Sequence, residues 1–145
     1  MKPETDPIAD DEYLLRLVWH DRFTSKVPVI SPRTFEPRTK GDHPDADGLS
    51  LFREACLPSP TDALAVIAED KRARYGIVRI PVARLAALNL TVAPSPIDAV
   101  PGHVVIPEMN STAYLDKANK AFFTATQLQL AQIASDNIAH QPAAE

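Results

Sequence analysis

The chain predicts an α+β fold: a small mixed β-sheet packed by a long C-terminal amphipathic helix, with a proline-rich N-terminal segment around it. Short runs rich in Leu, Val and Ile recur between turn signals. The run from Ser111 to about Ile138 holds neither Gly nor Pro, and places Leu115, Ala118, Phe122, Thr126, Leu130 and Ile133 on one helical stripe. The 14 prolines against 4 glycines predict a much-punctuated chain, because proline fixes φ and removes a backbone donor.

Taken in order, residues 1–10 are acidic and carry two prolines, which predicts a disordered tail. From Glu12 to Trp19 the apolar pattern fits helix or strand, with strand preferred. Pro28, Pro32 and Pro37 push the residues before them toward extended geometry, so 27–38 reads as irregular or edge-like chain. Residues 49–53 alternate as a short strand, Leu49 and Leu51 on one face and Ser50 and Phe52 on the other. Ser59-Pro60-Thr61-Asp62 is a helix start, with the helix running to about Arg74 and Gly76 as its stop. Residues 77–82, 90–92 and 102–106 are further strands, which could form a three-stranded sheet, and a short helix follows Pro81. The domain is expected over 11–138, with 139–145 a frayed tail.

At 145 residues one domain can bury roughly 68–70% of its unfolded surface. A net charge of -4 and pI near 5.5 argue against nucleic acid as the main partner, since that binding needs clustered Lys and Arg. The densest cationic stretch, Lys71-Arg72-Ala73-Arg74, ends a predicted helix, where positive charge complements the macrodipole. Cys56 is the only cysteine, so no intrachain disulfide forms and a cysteine-built zinc site is excluded. The N-terminus lacks the apolar stretch of a secretory signal, and no apolar run approaches the ~20 residues a bilayer requires. The expected setting is cytoplasmic.

No G-x-G-x-x-G or G-x-x-x-x-G-K pattern cradles a phosphate, and no G-x-S-x-G or H-E-x-x-H signature appears. No cofactor is implied. His43-Pro-Asp45-Ala-Asp47-Gly48 with Glu54 has calcium-loop spacing. Its first position is a histidine and the aliphatic position is Ser50, so a solvated turn is the expected outcome. His20-Asp21 has no second metal-binding pair and is expected at the surface. His103 opens an apolar strand. Its plain role is a structural hydrogen bond, and its functional one is proton transfer.

Gly48-Leu-Ser-Leu-Phe-Arg53, Tyr75 to Leu85 and Pro101-Gly-His-Val-Val-Ile106 resemble a group of small bacterial proteins. That resemblance covers roughly residues 12–107; it implies a bacterial origin and transfers no activity. The order Arg16, Ser50, Glu108 is similar to the Arg, Ser, Glu order of ADP-ribosyltransferases. There the first two would help to hold NAD, and the glutamate would activate the acceptor or stabilise the oxocarbenium-like centre. Ser50 stands in no S-T-S strand and Glu108 has no E-x-E partner.

Two classes of function follow. The first is a non-catalytic protein-interaction or regulatory module, using the long helix or self-association, with the adjacent Phe122 and Phe123 as its apolar hint. The second is a small enzyme acting on a nucleotide or nucleic-acid substrate, with Arg16, Ser50, Arg53 and His103 as its cluster. Convergence of those four side chains in one concave pocket separates the two.

Overall fold

The computed structural model describes residues 1–41 and 44–143. It is an α+β structure whose sheet has six strands: β1 (Tyr13–Trp19), β2 (Leu49–Arg53), β3 (Tyr75–Pro81), β4 (Ala93–Pro94), β5 (His103–Ile106) and β6 (Ile138–His140). Their order is β4-β5-β2-β1-β3-β6. Every pairing is antiparallel, where a mixed sheet was expected. Among the described residues the α-helices are α1 (Val82–Ala87), α2 (Ser111–Leu115) and α3 (Lys120–Ser135), with short 3₁₀ turns between the elements.

The central strand β1 is covered on both faces, which is why its sequence does not alternate cleanly. Leu14 and Val18 enter the main core beneath α3, with Leu49, Leu51, Val78, Ile80, Phe123 and Leu130. Leu15 enters a second core on the opposite face, with Phe52, Ala63 and Ile77. Among the described residues no helix is long and apolar enough to cross a membrane.

Two expected helices are broken, each for a local reason. The single helix over 111–138 is divided after Leu115. The Asp116 carboxylate accepts from Ala118 N–H at 3.0 Å, and the Asn119 side chain donates to Ala113 C=O at 3.0 Å. Such bonds offer the backbone an alternative to helical pairing. Leu115 is consequently 67% exposed, and in the buried stripe of α3 Phe123 takes the place expected for Phe122, which is 39% exposed, while Thr126, Leu130 and Ile133 are buried as expected. The helix expected from Ser59 to about Arg74 is two 3₁₀ turns, Pro60–Val66 and Glu69–Arg74. The three-residue repeat lays Ala63 and Val66 together on the second core, and Arg72 Nε donates to Ile67 C=O at the break.

The ends of the chain carry more structure than expected. Arg53, 1% exposed, is ion-paired with Glu12 through Nη2–Oε2 and Nε–Oε1 contacts of 2.8 Å. Its remaining donors reach the carbonyls of Glu4, Asp6 and Pro7. The acidic N-terminal segment thus folds around a buried guanidinium. At the other end, β6 adds to β3, and Ala143 N–H donates to Ala73 C=O.

The hydrogen bonds from Arg53 hold the Glu12 carboxyl at about 2, well below its ordinary 4.5, against the opposing effect of burial. A carboxylate whose pKa is lowered by folding stabilises the fold above its unfolded value and loses that contribution as pH falls through the folded one. Stability is therefore expected to decline between pH 4.5 and 2. Glu12→Gln, which leaves a buried cation without its counter-charge, should cost about 3–5 kcal/mol and flatten that decline. Urea midpoints measured across pH check both effects.

Candidate functional site

The site begins where β1 and β2 part. The two strands pair only at Leu14↔Arg53 and Leu15↔Phe52, whereas β1 pairs with β3 from Tyr13 to Trp19. Arg53 N–H donates to Gly102 C=O on the β5 side of β2, so by alternation the backbone groups of Ser50 and Phe52 point toward β1. Beyond Leu15 no strand among the described residues meets them. Arg16 takes that place: its Nη1 donates to Ser50 C=O at 2.8 Å and its Nε to Thr34 C=O at 3.0 Å. Thr34 lies in the 3₁₀ turn Pro32–Phe35, whose start is capped by the Ser31 side chain and whose Phe35 ring is fully buried.

A cleft of about 810 Å³ opens at this parting, within the usual size of small-molecule sites. Ser50 and His103 lie at one part of its wall, diagonal neighbours on one face because Ser50 pairs with Val105 and His103 with Phe52. His103 Nε2 is 3.1 Å from Ser50 Oγ, and Nδ1 is 2.6 Å from Ser95 C=O. A carbonyl only accepts, so Nδ1 carries a proton; in the neutral ring Nε2 then accepts from the Ser50 hydroxyl. The Phe52 ring lies edge-on to the imidazole, with centroids 5.2 Å apart, and fixes its plane.

His103 reaches this position through Gly102. That residue has φ +86°, and a Cβ there would lie 2.8 Å from Cys56 Cβ and 3.3 Å from Arg53 Cβ. Its N–H donates to the Glu4 carboxylate at 2.7 Å, tying the strand start to the N-terminal segment.

The cleft is cationic although the chain is net acidic. Arg16, Arg22, Arg33, Arg38 and Lys40 line it, against the carboxylates of Glu36 and Asp45. Burial lowers the Arg16 pKa to about 10, with Asp45 opposing the shift and Arg38 adding to it, so the group stays charged at neutral pH. Asp45 is occupied, accepting from Arg38 N–H at 2.7 Å. At the rim Arg33 pairs with Glu36 at 3.8 Å and Arg22 with Asp21 at 3.9 Å, which still leaves the cations in excess of the carboxylates around the cleft. Trp19 and Tyr75, cross-strand partners with ring centroids 5.0 Å apart, supply aromatic wall. Thr34 also lines the cleft; its Oγ1 is buried and makes no hydrogen bond among the described residues.

Of the residues singled out in the sequence, Arg16, Ser50 and His103 come together and two do not. Arg53 shares the Leu49 and Leu51 side of β2, opposite Ser50, and is consumed by Glu12 and the N-terminal carbonyls. Glu108 lies in the turn after β5, where its carboxylate accepts from Thr91 N–H at 2.8 Å and Thr91 Oγ1 at 2.6 Å. Burial works to raise the Glu108 pKa, but those bonds hold it below its usual range. The Arg, Ser, Glu order is thus not gathered around the cleft. In the calcium-like spacing, His43 lies outside the described residues and the Glu54 carboxylate pairs with Arg79. Sequence reasoning missed Trp19, Tyr75 and the cations of 22–40, although that stretch carries Arg22, Lys26, Arg33, Arg38 and Lys40 against Glu36.

The neutral His103 ring should be the Nδ1–H tautomer. Long-range ¹H–¹⁵N spectra of ¹⁵N-histidine protein at high pH report this directly, and an Nε2–H ring would mean that the Ser95 contact is not formed. No family model, curated protein or solved structure matches the chain.

Proposed function

We propose that the cleft binds a small phosphate-bearing molecule with a planar ring, of the nucleotide class. The observation that carries this reading is the convergence of Arg16, Ser50 and His103 in one concavity, with four further cations and the Trp19–Tyr75 pair around them. Focused positive charge in a low-dielectric cleft attracts an anion even when the whole molecule is acidic. Guanidinium groups match phosphate oxygens in pairs, and an aromatic wall takes a base by stacking.

The interaction-module reading draws less from the same structure. Phe122 and Leu128 are the large exposed apolar residues of α3, and six residues of separation puts them about 120° apart around the helix. They form no single stripe for a partner helix.

Trp19 is the only tryptophan and lines the cleft, so its emission reports occupancy. Titration with AMP should give a saturable change, weaker with inorganic phosphate, that lacks the ring. Raised salt should weaken binding, because the rim charges are screened over about 10 Å at 0.1 M. Arg38→Ala and Lys40→Ala should each lower affinity about threefold to tenfold. Emission unchanged at about 1 mM AMP, where a bond of ~4 kcal/mol would half-fill the site, would contradict the reading.

A further inference from the structure

We infer that Ser50 is a nucleophile, activated by His103, that cleaves phosphodiesters of the nucleotide class bound in this cleft. The inference rests on the binding reading above and adds a reaction to it. Binding phosphate needs cations, but it needs no hydroxyl hydrogen-bonded to an oriented base.

Three features of the Ser50 environment go beyond binding. Its Oγ stands 3.1 Å from His103 Nε2, and Ser95 C=O holds the other ring nitrogen at 2.6 Å. This is the nucleophile, base and orienting group that covalent catalysis requires. Second, Arg16 binds the Ser50 carbonyl at 2.8 Å, which places a cation beside the serine where charge would grow on the phosphoryl oxygens. Third, alternation along β2 directs the Ser50 N–H into the same gap, as a further donor to those oxygens.

In the first step Ser50 Oγ attacks phosphorus while its proton passes to His103 Nε2. The Oγ–P bond forms, the P–O bond to the leaving alcohol breaks, and the imidazolium returns the proton to that alkoxide. In the second step water gives a proton to His103 and attacks the phosphoserine. The Oγ–P bond breaks, and the serine oxygen takes the proton back. No electrons are gained or lost overall, and water is the only co-reactant.

A fluorophosphonate presents an activated phosphorus electrophile and traps the first step. Intact mass and peptide mapping of the full chain should show one phosphonyl group on Ser50, with labelling slowed by AMP. Ser50→Ala should abolish labelling, and His103→Gln should slow it roughly a hundredfold. No label on Ser50, or equal labelling of wild type and His103→Gln, overturns the nucleophile. If AMP binds and Ser50 is inert, the binding reading stands without the reaction. If Ser50 labels but AMP neither binds nor protects, the nucleophile stands and the nucleotide class is wrong.

Discussion

Strand β1 stays paired with β3 throughout its length but leaves β2 after Leu15, and the cleft exists because of that departure. Continued pairing would have satisfied the backbone of Ser50 and sealed the space beside it. Leaving buried backbone carbonyls without donors costs about 1–3 kcal/mol each, so the parting requires a substitute. Arg16 provides it by donating to Ser50 C=O on one side and Thr34 C=O on the other. One guanidinium therefore both props the strands apart and sets positive charge next to the serine.

The parting holds its place because neighbouring elements are fixed independently. The turn at Pro32–Phe35 is anchored by the buried Phe35 ring, and Ile30 N–H donates to Ser135 Oγ on α3. At the other end of β2, Arg53 and Glu12 lock the Leu14↔Arg53 pair against the N-terminal segment. Gly102 carries the same anchorage to β5 through Glu4. A buried ion pair is weak support for stability in itself. Here its use is positional, since it holds β2 against β1 at the closed end of the parting.

Much of this was legible in the sequence where a residue answers to one local rule. The strand at 49–53 follows from alternation, and with it the opposition of Ser50 to Leu49 and Leu51; the strand expected over 102–106, and formed by His103–Ile106, follows from its apolar run after a proline-rich connection. The placing of Arg53 failed on that same period of two, which sends it to the far side from Ser50. The single long helix failed because Asp116 and Asn119 make side-chain bonds that a hydrophobic period does not register. The cleft itself was not legible. Its rings meet through the β1–β3 register, Trp19 opposite Tyr75, and four of its cations come from a proline-rich stretch whose path is decided by tertiary contacts such as the packing of Phe35 and the Ile30–Ser135 hydrogen bond.

The central claim is that the concavity beside the β1–β2 parting is where this protein meets an anionic ring-bearing ligand. Chemical-shift mapping with AMP on ¹⁵N-labelled protein tests it most directly, because each backbone amide reports separately. The account predicts shifts concentrated at Arg16, Trp19, Thr34, Ser50, Tyr75 and His103, with α3 unmoved. Shifts gathered instead around Arg84, Gln132 and Asn137, which line the smaller hollow by α1 and α3, or an unchanged spectrum, would contradict it.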